Sequence, residues 1–145
     1  MNVAYFLTPR SEVGCVYDDN TLRQGLEKLR RSGFAALPVV TRENKYVGTV
    51  SEGDFLWYLI EEDEPKLTSI RALEKTTVRD VVRLDYNPPV RITADIQELL
   101  ERAMNQNFIP VVDDLGSFIG IVTRKDIIKH FADKADAKGR ENRMS

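Results

Sequence analysis

The chain contains one pattern twice, and this internal repeat constrains its fold more than any other feature. Gly48-Thr-Val-Ser-Glu-Gly-Asp54 recurs as Gly120-Ile-Val-Thr-Arg-Lys-Asp126, and Pro38-Val-Val40 recurs as Pro110-Val-Val112. The prolines, glycines and final aspartates of the two copies are 72 residues apart (110 − 38, 120 − 48 and 126 − 54). A self-similar period of this length indicates two copies of one folding unit that stack against each other.

Each copy predicts the same order of elements. A leading segment comes first, followed by a short strand, a helix, two strands joined by a tight turn, and a second helix. The first helix of each copy has apolar residues at helical spacing, offset by 74 positions (96 − 22); these are Leu22, Leu26 and Leu29 against Ile96, Leu100 and Ala103. We therefore expect a mixed α/β (α+β) chain made of two β-α-β-β-α units.

A hydroxyl residue lies three positions before an acid at the start of each unit's second helix. Ser51 precedes Asp54, and Thr123 precedes Asp126. Such a hydroxyl caps free backbone N–H groups, and an acid in the first helical turn complements the helix dipole. Capping alone explains one such turn, whereas two copies in the same context also fit a repeated binding site.

These residues resemble a known family. The apolar-Pro-Val-Val strand, the Gly-x-Val-Ser/Thr-x-x-Asp turn and the apolar helix after it are together similar to a tandem pair of cystathionine-β-synthase (CBS) domains, also called a Bateman module. The resemblance extends from about Tyr5 to about Phe131. It implies a compact pseudo-two-fold module, often dimeric, with clefts between the repeats in which many members bind adenine nucleotides.

On this basis we divide the chain into four parts: repeat 1 with its N-terminal leading segment (1–62), a linker (63–76), repeat 2 (77–132) and a polar C-terminal tail (133–145). We expect Met1–Leu7 to form a short helical turn packed on the first repeat. The acidic run Glu61–Glu64 predicts a solvated linker, and the tail is expected to fray soon after Phe131. Asn87-Pro-Pro89 predicts an extended segment, because a residue before proline avoids the helical region.

Composition and charge exclude several classes of function. The 145 residues have a formal net charge of −2, with no cluster of Lys and Arg among aromatics, so we expect no DNA or RNA partner. No apolar run reaches the ~20 residues that span a bilayer, and no secretion signal is present. The single cysteine, Cys15, cannot form an internal disulfide, which fits a reducing compartment. We expect a cytoplasmic protein without a membrane partner.

The sequence contains no recognisable catalytic constellation. The single histidine, His130, has no nucleophile motif to pair with, and Cys15 has no basic flank beyond Arg10. The sequence also has no GxxxxGK phosphate loop and no Cys/His set with metal spacing. Asp54 and Asp126 could in principle act as a catalytic acid–base pair. However, the internal repeat already explains why both aspartates are present, so no catalytic role is needed. We therefore expect a protein that is not an enzyme and requires no cofactor and no metal.

The repeated acids suit the recognition of a ribose. One carboxylate accepts hydrogen bonds from both vicinal hydroxyls, and the helix N-terminus behind it favours an anion. The resemblance implies that the adenine slot comes from the opposite repeat, from its leading segment and the residues before its Pro-Val-Val strand. The first predicted cleft contains Ile121, Thr123, Arg124, Asp126, Gly14, Phe34, Ala35, Ala36 and Pro38, with Arg10 approaching from the leading segment. The second contains Thr49, Ser51, Asp54, Pro89, Phe108, Ile109 and Pro110.

Charge distinguishes the two predicted clefts. Arg124-Lys125 follows the turn in the first cleft and neutralises a phosphate there, whereas Glu52-Gly53 in the second cleft adds negative charge. We therefore favour the first cleft as the nucleotide site and keep the second as a weaker candidate.

The helix after Asp54 predicts a dimer. Phe55–Ile60 is apolar around most of its circumference, and such a girdle needs two surfaces to cover it. A second subunit is the simplest cover, with the linker or the N-terminal turn as the alternative. Ile127, Ile128 and Phe131 in the last helix indicate the same surface, so we expect a homodimer.

The sequence thus predicts a regulatory module that senses an adenine nucleotide, either AMP, ADP, ATP or cyclic di-AMP. Binding would act in trans on an effector protein through a change in the module's shape or rigidity. One alternative is a dimerisation scaffold without a ligand. The other is an S-adenosyl-methionine binder, in which the same carboxylate holds the ribose and no phosphate needs an arginine.

Overall fold

The computed structural model describes residues 2–60 and 70–144 of the chain. Within them lie helices and strands that alternate as the repeat predicts, together with two short 3₁₀ turns at Arg10–Glu12 and Val78–Asp80. In chain order the elements are α1 (Val3–Phe6), β1 (Thr8–Pro9), β2 (Val16–Tyr17), α2 (Leu22–Ser32), β3 (Ala36–Val40), β4 (Tyr46–Ser51), α3 (Glu52–Ile60), α4 (Ile70–Lys75), β5 (Val90–Arg91), α5 (Ile96–Ala103), β6 (Phe108–Val112), β7 (Phe118–Thr123) and α6 (Arg124–Met144).

Each repeat builds one sheet. In the first sheet, β2 pairs parallel to β3, and β3 pairs antiparallel to β4. In the second sheet, β5 and β6 repeat the parallel pairing and β6 and β7 repeat the antiparallel one, and β1 adds a fourth strand antiparallel to β7. The predicted mixed α/β fold with two β-α-β-β-α units is confirmed.

Local sequence signals set the boundaries of the repeated helices. The Thr21 hydroxyl accepts the Gln24 N–H at 3.1 Å, and the Gln24 side chain accepts the Thr21 N–H at 2.9 Å, which forms a capping box for α2. Gly33 ends α2 in the left-handed conformation, with φ of 73°. In the second repeat the Asp95 carboxylate accepts the Glu98 N–H at 2.8 Å and begins α5.

The N-terminal segment packs on the second repeat, so the prediction that it packs on the first is wrong. Val3 and Phe6 are buried in the core that contains Leu99, Ile109 and Val122. The cause is the pairing of β1 with β7, in which Thr8 lies opposite Ile121 and carries α1 with it. An apolar turn fits either core by composition, and only the strand pairing decides between them.

The segment at the start of the second repeat packs in turn on the first repeat. Val78 is fully buried in the core of the first repeat, packed with Leu22 and Phe55. Its N–H donates to the carbonyl of Asn20 at 2.8 Å, which fixes the segment against the start of α2. Each repeat therefore completes its core with the leading segment of the other, and neither half of the chain has a complete core without the other.

Two further segments differ from their predictions. Helix α6 continues to Met144, well past the point where fraying was expected, because residues 132–144 are mostly Ala, Lys, Arg and Glu, which favour helix. Asn87 is left-handed, with φ of 63°, and not extended. Asparagine tolerates this conformation, and hydrogen bonds described below hold it there.

The acidic run Glu61–Glu64 lies outside the described residues, and Ile70–Lys75 is helical within the predicted linker. In the part of the chain that is described, no helix combines the length and the apolar character that crossing a membrane requires.

Candidate ligand clefts between the repeats

The two repeated turns have the capping geometry that the sequence predicts. The Thr123 hydroxyl accepts the Asp126 N–H at 3.1 Å, and the Ser51 hydroxyl accepts the Asp54 N–H at 3.3 Å. The backbone N–H after each hydroxyl also bonds within its own repeat: that of Arg124 donates to the Asn107 carbonyl at 2.9 Å. Each turn is therefore anchored to the start of the neighbouring strand.

An apolar cavity of about 210 Å³ lies in the first cleft. It joins β7 to the leading segment and β3 of the first repeat, as predicted. It is lined by Val13, Phe34, Ala36, Leu37, Pro38, Asn107, Phe108, Ile121 and Thr123. Five predicted residues meet here, namely Phe34, Ala36, Pro38, Ile121 and Thr123. Phe34 is 61% exposed and forms part of the mouth of the cavity.

Asp126 borders a second cavity, of about 360 Å³, at the other end of the same turn. We call it the Asp126 cavity; it is lined by Tyr5, Phe6, Leu7, Thr8, Asp126, Lys129, His130 and Asp133. The Asp126 side chain is exposed, and no described residue donates a hydrogen bond to its carboxylate or forms an ion pair with it. The acid is therefore available to an incoming hydroxyl donor.

The remaining predicted residues of the first cleft lie around these cavities. Ala35 lines a neighbouring cavity, and a side chain at Gly14 would contact Leu37. The Arg124 Nε donates to the Ala103 carbonyl at 2.7 Å and so ties the start of α6 to the end of α5. Arg10 donates from Nη2 to the Cys15 sulfur at 3.6 Å, and its Nε is buried without a partner among the described residues.

The acid of the second cleft has a different environment. Asp54 Oδ1 pairs with Arg83 Nε at 2.7 Å, and Oδ2 accepts the Ser51 N–H at 2.8 Å and the Ser51 hydroxyl at 3.0 Å. The Asp54 side chain is only 7% exposed, whereas that of Arg83 is 55% exposed. A cavity of about 520 Å³, the Asp54 cavity, lies beside this pair, with Trp57 and Asp80 among its lining residues. Both oxygens of Asp54 are thus already occupied.

A closed ring of hydrogen bonds lies beside Thr49. Tyr46 donates its hydroxyl to the Asn87 carbonyl at 2.8 Å, and Thr49 then donates to the Tyr46 oxygen at 2.8 Å. The Asn87 side-chain amide donates to Thr49 at 3.3 Å, and Gln106 donates to the Asn87 side-chain oxygen at 2.8 Å. Burial raises the pKa of Tyr46 to about 12, so its hydroxyl stays protonated and able to donate.

The other predicted residues of the second cleft are not brought together. Ile109 and Pro110 are buried in the second repeat, and Pro89 lines a separate cavity with residues at the start of α5. Phe108 lines the apolar cavity and also a cavity of about 580 Å³ that we call the amide cavity, lined in part by Asn87, Asn105, Gln106 and Asn107. Thr49 and Ser51 do not line the amide cavity.

Several residues of these sites were missed from the sequence. Lys129 carries a recoverable signal, because it lies three positions after Asp126 and so shares its helix face. Val13 and Thr8 lie in a leading segment that has no motif, and Asn87, Arg83 and Gln106 meet their partners only through long-range packing. Among the described residues, no group of three or more His, Cys, Asp or Glu side chains is arranged to hold a metal ion.

The comparison with protein families agrees with the fold. Residues 5–61 and 78–133 each match the CBS domain. Because these matches cover more than half of the chain, it belongs to the CBS domain family and contains a tandem pair of these domains. The resemblance that the duplicated motif carries is therefore confirmed.

Two curated relatives illustrate how such pairs occur. The chain is 30% identical over 140 positions to an uncharacterised protein of Methanocaldococcus jannaschii, covering 79% of this chain and 83% of the relative. It is 34% identical over 110 positions to the A-adding tRNA nucleotidyltransferase of Aquifex aeolicus, covering 75% of this chain and only 12% of that enzyme. The second similarity thus concerns a small part of a much longer protein.

Two solved structures with similar folds contain adenine nucleotides. The structure of CbpB in complex with c-di-AMP superposes with a TM-score of 0.87 at 26% identity, covering 97% of this chain and 91% of that chain. The structure of CBSX2 in complex with AMP superposes with a TM-score of 0.72 at 25% identity, covering 92% and 98%.

Proposed function

We propose that this chain is a regulatory module that senses an adenine nucleotide in its first cleft. The observation that carries the proposal is the unpartnered carboxylate of Asp126 beside a cavity, at the same strand-to-helix turn whose hydroxyl residue lines the apolar cavity. The two structural relatives that contain c-di-AMP and AMP support an adenine nucleotide as the ligand class.

The base and the ribose each have a suited partner. A purine is a flat apolar ring system, and the apolar cavity between Pro38 and Ile121 offers surfaces of that kind, with Phe34 exposed at its mouth for stacking. The ribose then lies at the Thr123–Asp126 turn, where the Asp126 carboxylate accepts from both vicinal hydroxyls. The base and the ribose would therefore both bind at the C-terminal end of β7.

The phosphate has three candidate cations. Lys129 lines the Asp126 cavity, and Arg124 keeps its Nη nitrogens free of described hydrogen bonds while its Nε bonds to Ala103. Arg10 lies in the leading segment of the same cleft, with an unpaired Nε. These positive groups, with the N-terminus of α6, favour a phosphate-bearing ligand over a neutral one. Regulation follows if an effector protein recognises the ligand-bound form.

Thermal unfolding with AMP, ATP, cyclic di-AMP and S-adenosyl-methionine at millimolar concentration tests this function. A ligand at about 100 times its Kd contributes about 2.7 kcal/mol, which raises the Tm by about 8 °C in a chain of this size. We expect such a shift with at least one nucleotide, and Asp126→Ala should abolish it. Asp136→Ala, an equivalent change on an exposed part of the same helix, should retain it.

The other outcomes identify the alternatives. No shift with any of the four ligands would favour a dimerisation scaffold without a ligand. A shift with S-adenosyl-methionine alone would favour that ligand. Arg124→Ala should weaken AMP more than adenosine, and equal losses for both would remove its role in phosphate binding.

We also propose that the module acts as a homodimer. On α3, Leu56, Trp57 and Ile60 are between 50% and 60% exposed, and on α6, Ile128 and Phe131 are exposed as well. A second copy of the chain would cover these exposed apolar side chains.

Sedimentation velocity tests the dimer. The native chain should sediment with the mass of two chains, and Trp57→Glu should shift it to one. Leu115→Glu, which changes an exposed leucine in the turn between β6 and β7, is the matched control and should remain dimeric. A monomeric native chain would contradict the proposal.

A further inference from the structure

The amide cavity is the largest of the cavities described above, and the proposed function assigns it no ligand. We propose that it binds a planar aromatic oxyanion, such as an aromatic carboxylate or an aryl phosphate. Its volume of about 580 Å³ lies within the range of about 300–1,000 Å³ that small-molecule sites occupy. Four of its lining residues also line the apolar cavity, so this second ligand would lie beside the nucleotide; they are Phe34, Ala36, Asn107 and Phe108.

The charges around the amide cavity favour an anion. Among the described residues that line it, Arg102 is the only charged one. By contrast, the Asp54 cavity, the Asp126 cavity and the cavity beside Pro89 are each lined by two acids and one Lys or Arg. The amide cavity is therefore the one of these four whose lining is positive, which favours an anionic ligand there.

Arg102 has hydrogen-bonding capacity left for that anion. Its side chain is 32% exposed, its Nη2 lies 3.9 Å from Glu98 Oε1, and its Nη1 donates to the Pro88 carbonyl at 3.5 Å. Both contacts are long, whereas the hydrogen bonds of a guanidinium to a carboxylate or a phosphate are about 2.7–2.9 Å and are often paired. An oxyanion with two short bonds would therefore bind Arg102 more strongly than Glu98 and Pro88 do.

Two exposed aromatic rings suit a flat ligand. Phe34 is 61% exposed and Tyr86 is 40% exposed, and both line the amide cavity. The Tyr86 ring is held in position because the Arg83 guanidinium lies 4.0 Å from its centre and is itself paired with Asp54 at 2.7 Å. Contacts between rings favour a planar aromatic ligand over an aliphatic one.

A buried amide adds a directed hydrogen-bond acceptor. Gln106 lines the cavity and is only 7% exposed. Its Nε2 donates to the Asn87 side-chain oxygen at 2.8 Å and to the Pro88 carbonyl at 3.1 Å, and no described residue donates to its Oε1. A hydroxyl or amino group on the ring can donate to that oxygen. Since no acid is among the described lining residues, nothing there holds a ribose as Asp126 does, and the ligand class differs from a nucleotide.

Isothermal titration calorimetry on the full chain tests the proposal with three ring compounds: 4-hydroxybenzoate, phenyl phosphate and the uncharged 4-hydroxybenzamide. We expect at least one oxyanion to bind, and 4-hydroxybenzamide to bind at least about tenfold more weakly than that oxyanion, because it lacks the charge-assisted bond. Arg102→Gln should weaken the oxyanion about tenfold for the same reason. Arg91→Gln, at an exposed arginine of β5 outside this cavity, is the matched control and should not. The tighter oxyanion shows whether the site prefers a carboxylate or a phosphate.

Asp126→Ala separates this site from the nucleotide site, because that variant should lose AMP and retain the oxyanion. Loss of the oxyanion together with AMP would overturn the proposal, since the ring compound would then lie in the first cleft. Binding of neither oxyanion at millimolar concentration, or an affinity that Arg102→Gln leaves unchanged, would also overturn it. AMP binding by the native chain is measured separately, so a failure of the amide cavity leaves the proposed function intact.

Discussion

The two strand-to-helix turns share one motif but differ in the state of their acids. At the first turn the Asp54 carboxylate is buried and paired with Arg83 at 2.7 Å. At the second turn the Asp126 carboxylate is exposed beside a cavity, and no described residue pairs with it. At both turns the capping hydroxyl accepts the backbone N–H of the acid. The difference therefore comes from the segment that packs against each turn and not from the motif.

A repeated motif can therefore carry a paired acid in one copy and an accessible acid in the other. Arg83 comes from the second repeat's leading segment and converts the first turn into a joint between repeats. Thr8 comes from the N-terminal segment and leaves the second turn accessible. Matched substitutions at the two turns should therefore differ in their effects on stability and on nucleotide binding.

The largest expected effect is at the two glycines that approach these segments. A Cβ at Gly120 would overlap the Thr8 carbonyl oxygen, and one at Gly48 would lie 2.8 Å from the Arg83 carbonyl oxygen. We expect Gly120→Ala to lower the free energy of unfolding by about 3 kcal/mol and Gly48→Ala by about 2 kcal/mol. Urea unfolding measures both, and Gly139→Ala, which has open space, should not destabilise the chain. Equal stability of all three variants would contradict the close packing of the leading segments.

Alkaline pH should distinguish Tyr46 from its counterpart Phe118. The folded pKa of Tyr46 is raised by burial to about 12, above its usual 10. Its contribution is therefore fully present below about pH 10 and is lost as the pH rises towards 12, by about 2.7 kcal/mol for two pKa units. Tyr46→Phe should lose less stability than the native chain between about pH 9 and 12 in urea titrations. If the stability of both proteins fell in parallel as the pH rose, the Tyr46 hydroxyl would have to be exposed to solvent.

Replacing Asp54 should mainly lower stability, whereas replacing Asp126 should mainly lower nucleotide binding. Asp54→Ala leaves Arg83 and the Ser51 N–H without their acceptor, and we expect a loss of about 2 kcal/mol in unfolding free energy, moderated because Arg83 is half exposed. Asp126→Ala should change stability by less than about 0.5 kcal/mol. Urea unfolding gives both values. A larger loss of stability at Asp126 than at Asp54 would reverse the assignment of the two roles.

The smallest expected effect is at the mouth of the first cleft. Phe34→Ala removes the exposed ring proposed to stack on the base, which should weaken AMP binding about tenfold with little change in the Tm. Met104→Ala changes an even more exposed side chain, 80% accessible, and serves as the control. Calorimetric titration compares the two. Equal affinities for AMP would show that the base binds elsewhere.

The fold was predictable because its signals are local and occur twice. The Thr21 capping box, the left-handed Gly33 and the hydroxyl–acid turns can all be recognised from a few adjacent residues. The placement of α1 was not predictable, since Val3 and Phe6 fit either apolar core and only the pairing of β1 with β7 selects one.

The first cleft was predicted better than the second for a physical reason. Apolar positions such as Pro38 and Ile121 meet because the sheets stack, and sheet stacking follows from the repeat. The polar network of the second cleft depends on Asn87, which takes a left-handed backbone before a proline and bonds to Gln106 and Thr49 far away in the chain. Nothing near Asn87 in the sequence signals these partners.

A crystal structure of the chain with AMP tests the central claim most directly. We expect a nucleotide in the first cleft, with its purine between Pro38 and Ile121 and its ribose hydroxyls on the Asp126 carboxylate, while Arg83 stays paired with Asp54. A nucleotide whose ribose lies on Asp54, or a purine outside the apolar cavity, would contradict it.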